Sequence, residues 1–234
     1  RALKMHGGLI KVVAGKPLDM EKLSKENLPA VEKGCENLEK HIENALLHGI
    51  NPVVVINRFP TDTQAEIELT KEIGLKAGAA SVVTHEGWAK GGEGCLELAE
   101  AVIDATKNKN NFHFLYPLDA TIKEKIETIA TKIYGADGVT YLDPAEKNIK
   151  LFESLGFGSL PICMAKTHLS LSHDPALKGR PRNYKIPIRD IKASMGAGFL
   201  YPLLGTMMTM PGLPSIPAAT KVDIDKNGNT VGLF

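Results

Sequence analysis

The chain has 234 residues, with 43% hydrophobic and 24% charged side chains, the balance of a globular protein with a substantial buried core. Lys plus Arg is 28 and Asp plus Glu is 27, so the net charge of +1 speaks against a nucleic-acid binder, which carries a basic excess. No apolar run is long enough to span a bilayer as a helix.

The 3 cysteines, Cys35, Cys95 and Cys163, lie far apart and show no C-x-x-C spacing. That speaks against a disulfide scaffold or a zinc site and fits a reducing, cytoplasmic compartment. The chain opens Arg1-Ala2-Leu3-Lys4-Met5, which reads as the interior of an element and hence as a fragment or processed product.

Helical spacing begins at residues 27–49, where Val31, Cys35, Leu38, Ile42 and Leu46 recur on one face and Gly49 follows as a stop. The β-branched run Val53-Val54-Val55-Ile56 predicts a buried parallel strand. Thr63 with Glu66 predicts a capping box opening a helix to about Leu75. A strand is predicted over 80–84, a helix over 93–107 and a short strand over Phe112–Tyr116. A helix is predicted over 120–134, with Ile122, Ile126, Ile129 and Ile133 on one face.

Strand–helix alternation at this spacing predicts an α/β fold. The expectation is a Rossmann-like, mostly parallel sheet over 1–140, followed by a smaller mixed α/β domain over 141–234. In the latter, a helix near 143–155 precedes an apolar stretch rich in Gly, Pro, Met and Ser. Asn227-Gly228 predicts a terminal hairpin.

In open α/β sheets, ligands sit beyond the carboxyl ends of the strands. The loop after the first strong strand offers Asn57, Arg58, Phe59 and Pro60. Arg58 can pair with an anion and Phe59 can stack on a flat ring; the plainer reading is a helix cap and a core phenylalanine. The loop after the next strand places the single tryptophan, Trp88, between His85-Glu86 and a glycine-rich turn.

Farther on, His168 and His173 stand five apart, unlike the four-residue spacing of helical zinc pairs. Lys178-Gly179-Arg180 is a basic turn suited to an anion, or simply a solvated loop. Ser194, Gly196, Ala197 and Gly198 form a small-residue segment against which a flat ligand, or a neighbouring element, can lie. Asp223-x-Asp225-x-Asn227-Gly228 imitates the start of a calcium loop, but the twelfth position is Phe234 instead of Glu. The pattern G-x-x-x-x-G-K-[ST] does not occur, so the chain holds no phosphate loop of that kind.

Taken in order, these segments resemble the formate–tetrahydrofolate ligase family. The matching stretches are RALKMHGG at 1–8, NLEKHIENA at 37–45, VVVINRFPTDT at 53–63, WAKGGEG at 88–94 and YGADGV at 134–139. GFGSLPICMAKTHLSLSHDP at 156–175, KGRPR at 178–182, ASMGAGFLYPLLGTMMTMPGLP at 193–214 and VGLF at 231–234 continue it. The resemblance is to the carboxy-terminal half. It implies ATP-dependent joining of formate to tetrahydrofolate through formyl phosphate, giving 10-formyltetrahydrofolate.

It further implies magnesium with ATP, activation by potassium or ammonium, and a homotetramer in bacteria. Phe59 and Trp88 match the aromatic pair that holds the pterin ring. Pro60, Ser194, Gly196, Ala197 and Gly198 match the region lining the adenine pocket. Arg58, Lys178 and Arg180 are candidate anion contacts. The phosphate loop belongs to the family's amino-terminal half, so the chain alone is not expected to turn over. The other reading is a non-catalytic folate- or nucleotide-binding module, or one subunit of a split ligase.

Overall fold

A computed structural model describes residues 1–11, 18–205, 216–228 and 230–232. The calls on Met- and Pro-rich residues 206–214, on 233–234 and on Asn229 fall outside them.

The first half is built on helix α3, Leu28–Leu46. Asn27 starts it by accepting a hydrogen bond from the Ala30 amide at 2.9 Å, and Pro29 occupies the first turn, where its missing N–H costs nothing. Val31, Cys35 and Ile42 are buried as the spacing predicts, whereas Leu46 at the end of that face is exposed.

Helix α1, Ala2–His6, crosses α3 at very short range. A Cβ on Gly34 would sit 1.9 Å from the Leu3 carbonyl oxygen, and one on Gly7 would sit 2.0 Å from that of Ala30. Only glycine at both positions permits the crossing. Helix α2, Met20–Ser24, packs beside it. The Lys4 ammonium, 2% exposed, bonds the Leu23 and Lys25 carbonyls and pairs with Glu66 at 2.7 Å.

Strand β1, Val53–Asn57, pairs in parallel with β2, Ser81–His85, and helix α4, Gln64–Lys76, connects them. Among the described residues this sheet holds β1 and β2 only. The shared character is therefore mixed α/β with a parallel pair.

Thr63 caps α4 by accepting from the Glu66 amide, but the return half of the expected capping box is absent. The Glu66 carboxylate is drawn instead to Lys4 and to the Asn27 amide. A complete capping box stands at Thr121 and Glu124, opening helix α7, Ile122–Thr128.

After β2 come α5, Gly87–Lys90, a 3-10 turn over Gly91–Cys95, and α6, Leu96–Lys107. The predicted strand at Phe112–Tyr116 is not one. The Asn111 and His113 amides donate to the Gly49 and His48 carbonyls at the end of α3, so the segment is held as an irregular strap. Phe112 and Phe114 remain exposed upon it.

The second half closes around β3, Val139–Tyr141, β4, Ile186–Ser194, and β5, Phe199–Leu204. β3 and β4 are parallel, and β4 and β5 are antiparallel with an irregularity between Ile188 and Asp190. Helix α8, Asp143–Ser154, lies on β4 and is anchored by the Asn148 amide group to Asp190 at 2.7 Å. Ile122, Ile126, Ile149, Ile186, Ile188, Ile191 and Leu200 form the centre of this core, all 2% exposed or less.

Each fully buried isoleucine or leucine contributes about 1.5–3 kcal/mol through removal from water. The apolar stretch 160–165 runs along β5, with bridges Ile162–Leu200 and Ala165–Leu203. The expected terminal hairpin is formed by β6, Asp223–Ile224, and β7, Thr230–Val231. No helix of the described residues is long and apolar enough to cross a membrane.

Candidate functional site

The carboxyl ends of β1 and β2 bring the two sequence-predicted loops side by side. The Arg58 amide donates to the His85 carbonyl at 3.0 Å, extending the strand pairing by one bond. The Arg58 guanidinium lies 3.6 Å from Glu86, which also pairs with Lys90 at 2.5 Å. The Lys90 hydrogen bond, aided by the charge of Arg58, holds the Glu86 carboxyl below the ordinary range. Arg58 is thus engaged in tying loops together.

Phe59 heads a tight turn: its amide donates to Asp62 at 2.9 Å, and the Asp62 amide returns a bond to the Phe59 carbonyl. One face of its ring is covered by the Arg1 guanidinium, 4.4 Å from the centroid. Such stacking is a cation–π contact. Pro60 is exposed beside it. Trp88, on α5, is 74% exposed. An indole this bare is unusual for a residue whose large apolar surface favours burial.

A cavity of about 410 Å³ opens beneath the first loop. Val31, Leu38, Val54 and Ile67 form its apolar floor, and Arg1, Phe59, Asp62 and Glu66 stand around it. Arg1 Nε is buried there without a hydrogen-bond partner. The volume is within the range of small-molecule sites. Arg1 and Lys4 were not read from sequence as parts of this region, because they lie far from the loop in sequence.

The remaining predicted residues sit elsewhere. Ser194 ends β4, and Met195–Gly198 form the turn to β5, closed by the Gly198 amide to the Ser194 carbonyl at 2.8 Å. Gly198 has φ +74°, which explains a glycine there. Gly196 and Ala197 are exposed at its tip. The segment is therefore a hairpin turn that presents backbone outward.

Lys178 donates to the Leu169 carbonyl at 3.0 Å. Arg180 makes a two-pronged bond to Glu43 at 2.7 and 2.8 Å, clamping its loop to α3. Burial pushes the Glu43 carboxyl up, but hydrogen bonds from Arg180 and Lys40 hold it below the usual value. An incoming anion would have to displace Glu43 from Arg180. No three His, Cys, Asp or Glu side chains converge as a metal site requires, among the described residues.

The molecule so far is a mixed α/β protein with an aromatic-bearing edge at the end of a parallel strand pair. The model of the formate–tetrahydrofolate ligase family matches residues 1–234, and the chain belongs to that family. It is 62% identical to a formate–tetrahydrofolate ligase of Desulforamulus reducens over all 234 residues, which is 41% of that protein. Identity to the Saccharopolyspora erythraea ligase is 51%, again over 41% of that protein. A cytoplasmic C-1-tetrahydrofolate synthase of Pongo abelii is 51% identical over 25% of its length. The chain thus spans about 41% of the length of the ligases it matches.

Proposed function

We propose that this chain supplies the folate-binding and adenine-facing part of a ligase that joins formate to tetrahydrofolate at the expense of ATP, via formyl phosphate. The observation that carries this reading is the family match over the whole chain, joined to the exposed Trp88 and the Phe59 turn on loops that are bonded to one another. In this reading Phe59 and Trp88 grip the two faces of the pterin ring. Arg1 covers one face of Phe59, so the pterin would stack on the other.

The Arg58–Glu86–Lys90 chain fixes the spacing of the two loops, so the ring is oriented before the chemistry begins. The Ser194–Gly198 turn offers backbone to the adenine, with Pro60 bordering the same cleft. Lys178, and Arg180 once released from Glu43, are candidates for the anionic parts of these ligands. The division into 1–140 and 141–234 belongs to the same proposal, with α7 contributing Ile122 and Ile126 to the second core. So do the Rossmann-like relationship of the first sheet, the homo-oligomeric assembly and the cytoplasmic location.

Magnesium with ATP and a monovalent cation are implied by the family; among the described residues no three His, Cys, Asp or Glu side chains converge. No step is assigned to this chain through them. Phosphoryl transfer rests on positioned cationic groups and a phosphate cradle. Those are assigned to the remaining length of the relatives. The partial coverage also favours a second reading, a binding subunit or module that does not turn over alone.

Titration with tetrahydrofolate, followed by fluorescence of the single tryptophan, tests the site. Saturable quenching that is lost in Phe59→Ala is expected, while full emission at saturating folate would overturn the assignment. A coupled ADP-release assay tests both readings together, since turnover by this chain alone would refute both the binding module and the need for a second half.

A further inference from the structure

A group of side chains beside the Trp88 loop has no part in the function proposed above. Cys95 Sγ lies 3.3 Å from His85 Nε2, and His85 Nδ1 lies 3.4 Å from Asn57 Oδ1. Three separate elements deliver them: Asn57 ends β1, His85 ends β2, and Cys95 caps the amino end of the 12-residue helix α6. An amide oxygen can only accept, so Nδ1 carries the ring proton and Nε2 is left to accept from the thiol. The only other acceptor recorded for the thiol is the Gly91 carbonyl, farther away at 3.5 Å.

The backbone makes room for this contact. A Cβ on Gly87 would stand 2.7 Å from His85 Nε2 and 2.9 Å from Cys95 Sγ, pressed against both groups. Gly94, the residue before the cysteine, is equally constrained, since its Cβ would meet the Glu86 carbonyl at 2.5 Å. The glycine-rich turn is thus shaped so that sulfur and imidazole touch. Cys95 stands at the amino end of α6, where the helix dipole is positive. Cys95 is partly exposed, so the pair is open to a small reagent.

We propose that Cys95, with His85 as its base and Asn57 orienting the ring, is a thiol–disulfide exchange site for low-molecular-weight disulfides. His85 Nε2 takes the thiol proton as Sγ attacks one sulfur of the disulfide. That S–S bond breaks and a new one forms to Cys95. The departing thiolate takes up the proton from His85. Oxidation state is conserved, because one disulfide is exchanged for another. The adduct then lies in the same loop as Trp88. Cys95 reacts in this way whether or not folate binds there.

The other two thiols are built-in controls. Cys35 is 1% exposed, and burial raises its pKa to about 11, so it is inert in the folded chain. Cys163 is exposed but has no imidazole partner recorded among the described residues. Exposure alone therefore ranks Cys163 first, whereas the assisted thiol ranks Cys95 first.

The chain is treated with glutathione disulfide at pH 7 and each cysteine is followed by peptide mass spectrometry. Cys95 is expected to react about fivefold or more faster than Cys163, because the adjacent imidazole removes the thiol proton as the sulfur attacks. His85→Ala is expected to bring Cys95 down to the Cys163 rate while Cys35 stays protected, which certifies that the variant is folded. A Cys95 rate at or below that of Cys163 in the unmodified chain would overturn the proposal without reference to any variant. So would an unchanged Cys95 rate in folded His85→Ala.

Discussion

The two halves of the chain solve the problem of burial differently. The second half encloses β4 between α7, α8 and β5, and its central side chains are removed from water almost completely. The first half has a small buried cluster of Ile42, Ala79 and Val82 about its strand pair. Val55 on β1 and Leu96, Val102 and Ile103 on α6 are exposed. α6 buries no residue at all among those described.

What steadies the first half is polar and close-range: the Lys4–Glu66 pair, the glycine crossing of α1 on α3, and the Arg180–Glu43 clamp. A core held by hydrophobic burial tolerates loss of a polar bond. A small core braced by ion pairs does not, because each lost partner strands a buried charge. The contrast also places the Phe59 and Trp88 loops, proposed above to receive the pterin, on the half with less packing, as expected of elements that receive other molecules.

The sharpest way to break this comparison is a matched pair of lysine replacements. Lys4→Met removes the ammonium paired with Glu66 and leaves the carboxylate buried, and should cost about 3–5 kcal/mol. Lys125 is fully buried in the second half, and its ammonium is bonded to the Gly158 and Leu160 carbonyls instead of a carboxylate. Burial lowers its pKa, the reverse of what a stabilising partner would do. Lys125→Met should cost much less, about 1–2 kcal/mol for two carbonyls that lose a donor. Urea unfolding of both variants decides it. Equal losses would show that ion pairing does not distinguish the halves.

Gly34→Ala should come next. The new methyl meets the Leu3 carbonyl, so α1 must move away, at about 1–3 kcal/mol. Because α1 begins beside Arg1, the cover over Phe59 should shift as well. Nuclear magnetic resonance would see this as displaced Phe59 ring signals, with the Ile186–Leu200 core unchanged. Shifts spread evenly over both halves would contradict the division.

The smallest effect is a pH dependence. His6 Nδ1 accepts a hydrogen bond from the Gly179 amide at 3.1 Å, joining α1 to the basic loop. Burial, then the charges of Lys178 and His41, lowers its pKa from 6.5. A lowered folded-state value means that protonation favours unfolding. The contribution of neutral His6 is therefore complete above about pH 6.5 and is lost as pH falls from there toward the folded value. The melting temperature should decline over that window, and His6→Gln should flatten the decline. An identical slope in the variant would remove His6 as the cause.

Family membership was legible through the resemblance of ordered motifs; the mixed α/β class and most elements were legible because they rest on local physics. The side chains of α3 recur at helical spacing and its start is marked by Asn27 and Pro29. The β-branched run makes β1, and Thr121 with Glu124 makes a complete cap. Phe59 and Trp88 were legible as strand-end aromatics because strand, turn and helix are contiguous in the chain.

Tertiary structure alone decided where polar groups found their partners. Thr63 and Glu66 carry the same local signal as Thr121 and Glu124, yet a buried ammonium on α1 claims the Glu66 carboxylate. Phe112–Tyr116 has strand composition, but its amides reach the end of α3 before they reach a strand. Arg180 reads as a free cation until Glu43 meets it, and Cys95 reads as an ordinary thiol until β2 sets His85 beside it. Periodicity and caps are set within a few residues. A hydrogen bond or ion pair goes to whichever partner folding brings nearest, and that partner can come from anywhere along the chain.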